Sequence, residues 1–218
     1  MSHVGGRSQL AVLGTSLFAP EVVDLIDESG QFDVSAFIEN HDRTKVGTPF
    51  LGRPVVWIDE AAPLAGTHRA VCALGTTHRR AFIEQVAGLG FEFATVRHPA
   101  SRVSATSRIG DGSIVSVGVI VAAHTRIGQH VILNRAVLVG HDTTIHDYST
   151  VSPGANIAGG VTIGEQAYIG MGAIVVDRVT IGRQAFVAAG SVVTRDVPDR
   201  THVAGMPART VRQDVDGR

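Results

Sequence analysis

The chain has 218 residues, of which 44% are hydrophobic and 18% charged, with 25 glycines and a formal net charge of −1. This composition describes a compact globular protein rich in tight turns and excludes a disordered chain. The near-zero charge and the lack of any Lys/Arg run exclude a basic field for nucleic acid. Cys72, the single cysteine, excludes a disulfide framework or a Cys-based zinc cluster within one chain. Met1–Gln9 is polar and Gly-containing and leads into no signal-peptide core, and no apolar run is long enough to span a bilayer, so a cytoplasmic protein without membrane contact is expected.

In chain order, Leu10–Gly14 is a short apolar run ending in Gly-Thr-Ser, and Pro20 then opens a helical pattern through Val22, Val23, Leu25 and Ile26. Val34–Ile38 reads as a second strand ending in Glu39-Asn40, and a polar loop, His41–Thr48, leads to a short segment at Pro54–Trp57. Ala70–Leu74 is a further strand, followed by Gly75-Thr76-Thr77 and a helix from about Arg79 to Ala87; Phe91–Val96 reads as the last strand. Alternation of this kind predicts a Rossmann-like α/β domain with a parallel sheet and ligands at the carboxyl ends of its strands. Those ends carry Gly14, Thr15, Ser16, Glu39, Asn40 and Gly75.

Leu17-Phe18 stands where a dinucleotide fingerprint would have more glycine, which argues against NAD. The phosphates of a mononucleotide or sugar nucleotide could still use the strand-end amides and the helix N-terminus. Glu39 could accept a ribose or base hydrogen; alternatively the glycines merely permit tight turns and Glu39 is solvated. Arg80, one turn into its helix, either meets a phosphate or stays in solvent, and His68 and His78 read as surface residues. Pro99 in Arg97-His98-Pro99 ends the last strand, which divides the chain into 1–98 and 99–218 and makes His98 a linker residue.

From Val103 to Val197 the second part repeats every six residues. Val103, Ile109, Val115, Val121, Ile127, Leu133, Val139 and Ile145 begin an unbroken aliphatic series that continues to Val193, each member followed by polar or small residues. This is the hexapeptide pattern of a parallel β-helix. With three hexapeptides to a coil, residues eighteen apart stack, and three aliphatic ladders fill the inside of a triangular prism. One ladder is all isoleucine: Ile109, Ile127, Ile145, Ile163 and Ile181. The fifth position of each unit is small or modest, as a crowded interior requires. A column of turn residues, Gly118, Ala136, Gly154, Gly172 and Gly190, calls for positive φ.

One corner breaks the regularity. His141-Asp142 stacks between Ala123-His124 and Gly159-Gly160. The glycine pair leaves space beside His141 and exposes amides. An imidazole, a carboxylate and bare N–H groups are parts for acyl transfer, as general base, orienting group and oxyanion donor. The alternative is that these are ordinary polar corner residues, like Gln129-His130 and Arg183-Gln184. His146 occupies a slot where its ladder otherwise has glycine and either contacts a ligand or helps packing between subunits; His124 either pairs with Asp142 or is exposed. Metal binding by His124, His141 and His146 matches no known spacing, and no metal is expected.

The segments Leu133–Asp142, Val151–Gly160, Ile169–Ala173 and Val203–Ala208 together resemble the left-handed β-helix acyltransferases that acetylate nucleotide-linked 4-amino-4,6-dideoxysugars, relatives of the sialic acid O-acetyltransferases. The likeness spans nearly the whole chain and leans toward the GDP-perosamine N-acetyltransferases, which share the His-Asp pair. It implies a left-handed helix, a homotrimer with active sites between neighbouring helices, and acetyl-CoA as co-substrate in O-antigen or lipopolysaccharide biosynthesis. By the same resemblance His141 is the general base, Asp142 its acidic neighbour and Gly159 the amide donor to the thioester oxygen. Asn134 lies near the amine, and Thr150, Met171 and Ala189 contact acetyl-CoA, Thr150 replacing a histidine. The first domain would bind the nucleotide through Gly14, Thr15, Ser16, Glu39, Asn40 and Gly75, although Leu17-Phe18 replaces the frequent Gly-His. The expected activity is N-acetylation of the C4 amine of such a sugar nucleotide; the alternatives are O-acetylation of a free sugar and a non-catalytic scaffold.

Overall fold

A computed structural model describes residues 7–218, so residues 1–6 of the polar opening stretch lie outside it. The first part contains β1 (Ser8–Leu13), α1 (Ala19–Ser29), β2 (Phe32–Glu39), β3 (Val55–Trp57), β4 (His68–Cys72) and α2 (Arg80–Gly88). The four strands form a parallel sheet in the order β3-β2-β1-β4. Because the chain builds outward from β1 and then crosses to its other side, the order reverses between β1 and β4. That is where an open α/β sheet offers a crevice.

Successive residues of β1 serve opposite faces, so the strand is apolar on both. Leu10 and Val12 pack under α1 through Val22, Val23, Leu25 and Ile26. Ala11 and Leu13 pack under α2 through Phe82, Ile83 and Val86. Pro20 sits in the first turn of α1, and Gly30, left-handed at φ 65, closes it.

The second part is a left-handed parallel β-helix of two-residue strands. Its first face stacks Ile109, Ile127, Ile145, Ile163 and Ile181. The second runs from Arg102–Val103 through Leu138–Val139 to Val192–Val193, and the third from Val96–Arg97 through Ile132–Leu133 to Phe186–Val187, ending in a hairpin of His202–Gly205 with Ala208–Arg212. Registers pair residues eighteen apart, such as Ile127 with Ile145. At the far end the spacing tightens, since Val187 pairs with Val203. The ladders are buried in one continuous core.

The small fifth positions do more than fit. The hydroxyls of Ser107, Ser113, Thr125, Thr143 and Ser149 each donate to a carbonyl fifteen residues on, at 2.6 to 3.1 Å. Each buried hydroxyl is thereby satisfied, and each corner is pinned to the next.

The last predicted strand of the first part needs correcting. Val96–Arg97 pairs with Ile114–Val115 as the first rung of the third face, and only a single Ala70–Phe93 bridge links this stretch to β4. Val96 donates to Ser113 O at 3.0 Å and His98 to Val115 O at 2.9 Å, so the first coil takes up these backbone groups. His98 is also more than a linker: its Nε2 lies 2.7 Å from Glu28 Oε2 on α1.

The first part sits on the third face, where Ile114 and Ile132 join the core under α1. Arg79 locks this junction. Its guanidinium is fully buried and donates to Thr76 O, Thr150 Oγ1, His130 O and Ser149 O at 2.7 to 2.9 Å. Burial pulls its pKa down to about 10, which leaves it charged at neutral pH. On the second face the outward side chains Ile120, Leu138 and Ile174 stay 40 to 44% exposed. No helix among the described residues is long and apolar enough to cross a membrane.

Candidate active site

The strand Leu138–Val139 ends at Gly140, and the chain turns through His141 and Asp142. Asp142 is left-handed, at φ 54. Neighbours on a strand point apart, but here both side chains project from the corner, and His141 Nδ1 lies 2.7 Å from Asp142 Oδ2. A carboxylate oxygen accepts, so in this contact Nδ1 donates, and the matching tautomer has its lone pair at Nε2. The two side chains are 69% and 61% exposed.

One coil on, Gly159 covers the ring. A Cβ added there would lie 2.8 Å from His141 Nε2 and 3.0 Å from Cε1, so any side chain would displace the ring from this position. The amide of Gly160 donates to His141 O at 2.8 Å and fixes the spacing of the two corners. The Gly159 amide, expected as a bare donor, instead donates to Asp177 Oδ1 at 3.1 Å. Corners elsewhere do the same: Asp147 receives Gln129 N and Asp199 receives Arg183 N. A free corner amide attracts the carboxylate stacked above it, and Asp177 stands eighteen residues after Gly159. Sequence reasoning missed Asp177, although its place in the column was the available signal.

His124 does not pair with Asp142, whose carboxylate faces His141; its amide is held by Thr106 Oγ1 at 3.0 Å. His146 is exposed. Among the described residues no three His, Cys, Asp or Glu side chains gather to hold a metal ion. Cys72 is buried, and burial pushes its thiol up to about 11, so it offers no thiolate for acyl transfer at neutral pH.

A second constellation forms at the reversal point of the sheet. A cavity of about 350 Å³ brings together Gly75, Asn134, Thr150 and Met171, from distant stretches of the sequence, with Phe18, Tyr168 and Arg218. Ala189 is exposed one coil beyond Met171, and Gly190 N donates to Met171 O at 2.8 Å. Thr150 is nearly buried and its hydroxyl accepts from Arg79, so it serves the junction first. The hydroxyl of Ser16 donates to Ala73 O at 3.0 Å, which ties the turn after β1 to the end of β4. Gly14, at φ +88, lies so close to Leu74 that an added Cβ would stand 2.7 Å from Cδ2.

Glu39 and Arg80 are not the free groups the sequence suggested. Glu39 is buried and accepts from Thr15 Oγ1 at 2.7 Å, Asn40 N at 3.1 Å and His41 N at 3.0 Å, with Lys45 Nζ at 3.8 Å. Burial raises its pKa, but these hydrogen bonds and Lys45 outweigh that, and the carboxyl is held below its ordinary value. With both oxygens engaged, Glu39 braces the Thr15 turn. Asn40 Nδ2 is likewise turned to Gln85 Oε1 at 2.9 Å. Arg80 lies between Glu84 and Glu165, each at 2.6 Å, and over the Tyr148 ring, so a phosphate would have to compete with two carboxylates. A smaller cavity of about 160 Å³ opens beside Thr15, lined by Lys45, Phe50 and Val55 among others, and no sequence signal marked it.

The two constellations do not meet within one chain. His141 and Gly159 stand at one edge of the second face, Asn134, Met171 and Ala189 at its other edge, and His141 is absent from the lining of the larger cavity.

Residues 160–195 match the family model for the bacterial transferase hexapeptide (six repeats). No curated protein sequence matches the chain. Solved structures do. A histidine variant of perosamine N-acetyltransferase from Caulobacter crescentus, in complex with CoA and GDP-perosamine, is 32% identical with a TM-score of 0.87, over 96% of this chain and 98% of that one. The chain belongs to the left-handed β-helix family of nucleotide-sugar N-acetyltransferases. Other members bear this out. The acetyltransferase domain of PglB from Neisseria gonorrhoeae FA1090, in complex with acetyl coenzyme A, is 32% identical over 94% of this chain and all (100%) of that one, with a TM-score of 0.85. WeeI from Acinetobacter baumannii AYE is 29% identical with the same coverage, 94% and 100%, and a TM-score of 0.84. As a member of this family the protein is a CoA-dependent sugar N-acetyltransferase.

Proposed function

We propose that the protein transfers the acetyl group of acetyl-CoA to the C4 amine of a nucleotide-linked 4-amino-4,6-dideoxysugar in the cytoplasm, with GDP-perosamine the first substrate to test. One observation carries the reading: His141, held at Nδ1 by Asp142, lies beneath a glycine whose missing side chain leaves room for the ring in this position. In the reaction the amine attacks the thioester carbonyl while Nε2 accepts its proton. The C–N bond forms, the C–S bond breaks, and the sulfur of CoA leaves with the pair. Asp142 holds the imidazolium in place. The Gly159 amide stabilises the developing oxyanion once Asp177 turns aside.

A second copy of the chain completes the site. The exposed Ile120 and Leu138, with Ile174 beyond Asn156 on the same face, lie between the two constellations and are the kind of apolar side chains that another copy covers. A cyclic homotrimer brings the crevice of one copy to the His141 corner of the next. In the crevice Gly14, Thr15, Ser16 and Gly75 lie along the nucleotide, the cavity beside Lys45 and Phe50 takes its base, and Asn134 faces the amine; acetyl-CoA runs along Met171 and Ala189.

His141→Asn tests the reading. Roughly 10²- to 10⁴-fold loss of turnover with an unchanged melting temperature is expected, and near-normal turnover would refute the base assignment. Thermal-shift titration with GDP-, UDP- and dTDP-sugars identifies the nucleotide, because a ligand that binds the native state raises its stability. Acetyl-CoA consumption with free hydroxyl sugars but not with sugar nucleotides would favour O-acetylation instead.

A further inference from the structure

The segment after Ala208–Arg212 returns to the junction and is built into it. Val215 is buried and donates to Arg200 O at 3.0 Å. Gly217, at φ +80, donates to Gln184 O at 2.9 Å and passes so close to the turn before α2 and to the β-helix that a Cβ would lie 2.3 Å from Thr77 Oγ1 and 2.7 Å from Gln166 O. His78, expected as an unpartnered surface residue, contacts Asp216 O through Nε2 at 3.0 Å. Arg218 N donates to Thr77 Oγ1 at 2.8 Å, and the main-chain oxygen of Arg218 accepts from Thr77 N at 2.7 Å and from the Thr76 hydroxyl.

Two consequences follow from this anchoring. The first is that Thr76 and Thr77, the donors at the mouth of the turn before α2, serve the oxygen of Arg218 and are not free to hold a phosphate. The second is that the same contacts set the Arg218 guanidinium into the crevice, 4.9 Å over the Tyr168 ring and bonded to the Tyr168 hydroxyl. Among the described residues Arg218 is the sole Lys or Arg lining the larger cavity. The other nearby cations are committed elsewhere: Arg79 to the junction, Arg80 to two carboxylates and Lys45 to Glu39. The diphosphate of a sugar nucleotide brings negative charge that the turn before α2 no longer balances.

We propose that Arg218 binds that diphosphate directly, as a substrate-binding residue delivered to the reversal point by the folded-back segment. The proposal rests on the sugar-nucleotide reading above. The planar guanidinium has five donors; after the bond to Tyr168 it keeps enough to fork onto phosphate oxygens, which a lysine could meet only as a point charge.

The test compares wild type with Arg218→Ala and Arg218→Lys by calorimetric titration of GDP, UDP and dTDP, followed by steady-state kinetics with the matching 4-amino sugar. Losing a charged hydrogen-bonding partner is expected to raise Kd for the nucleoside diphosphate and KM for its sugar about 10- to 100-fold. Arg218→Lys should recover part of this, with kcat and KM for acetyl-CoA kept. Gly217→Ala, which displaces the anchor, should weaken nucleotide binding in the same direction. If Arg218→Ala binds nucleotide as wild type does, or raises KM for acetyl-CoA instead, the proposal is overturned while the sugar-nucleotide reading stands. If wild type binds none of the three nucleotides, that reading fails and the proposal falls with it.

Discussion

The proposed catalytic corner at His141 and the proposed nucleotide crevice at Gly75 are built by opposite routes. At the corner everything is set by a repeat: the same backbone turn recurs coil after coil, and a site arises where two glycines and a histidine replace the usual residues. Local spacing alone aligns Nε2 of His141 with Gly159. At the crevice nothing repeats. Its walls come from β1, β4, the third face and the segment near Arg218, and a buried arginine holds them in register. The first depends on the position of one ring beneath one glycine, and the second on long-range contacts.

Substitutions should separate the two. With His141 itself kept, the largest effect is expected from Gly159→Ala, whose methyl would press on the His141 ring; turnover should fall by about 100-fold at unchanged stability, given what one donor and one base contribute. Kinetics paired with calorimetry decides the matter, and a fully active Gly159→Ala would show that the ring is not held beneath that glycine. Arg79→Met acts on the other region. It takes the buried donor from Thr76 O, His130 O and the Thr150 hydroxyl, while Ser149 O keeps Ile132 N, and about 1–3 kcal/mol of stability should be lost for each group left unsatisfied, with nucleotide binding weakened more than acetyl-CoA binding. Denaturant titration measures the first and ligand titration the second.

Leu138→Glu places a charge among the exposed apolar side chains of the second face. Light scattering should report dissociation to single chains, and turnover should fall with it; an active monomer would contradict a site shared between copies. The smallest expected effect is a pH dependence at the junction. His130 is buried between Phe93 and Tyr148, and burial, aided by Arg79, pushes its pKa down to about 4. An unfolded histidine titrates near 6.5. Between those values the unfolded chain binds a proton that the folded one refuses, so this contribution is complete above about pH 6.5 and is lost as pH falls toward 4. His130→Asn, which keeps a residue suited to φ 54, should flatten the fall in melting temperature across that window.

This contrast also explains what the sequence could disclose. The ladders were legible because a six-residue period needs no partner outside itself, and stacking by eighteen found Gly159 above His141. Asp177 lay in the same column and was missed because an amide's competitor is a matter of hydrogen bonds, not of period. The α/β alternation gave the strands and the reversal point, but Glu39 looked free because Thr15 and the amides that occupy it meet it only in three dimensions. Arg79 read as an ordinary helix residue, since its acceptors at His130 and Ser149 lie 51 and 70 residues away in sequence. Val96 read as a sheet strand because its apolar neighbours suit either sheet, and only pairing with Ile114 decides between them.

The central claim is that the corner of one copy works with the crevice of another. Co-expression of two inactive chains tests it most directly: His141→Asn, which keeps the crevice, and Gly75→Trp, which fills it. Gly75 has no atom within 4 Å of an added Cβ, so the indole can enter the crevice without forcing the fold. In mixed oligomers assembled at random, about one quarter of the sites join an intact crevice to an intact corner. Recovery of roughly that fraction of wild-type activity is predicted; no recovery above the separate variants would contradict the account.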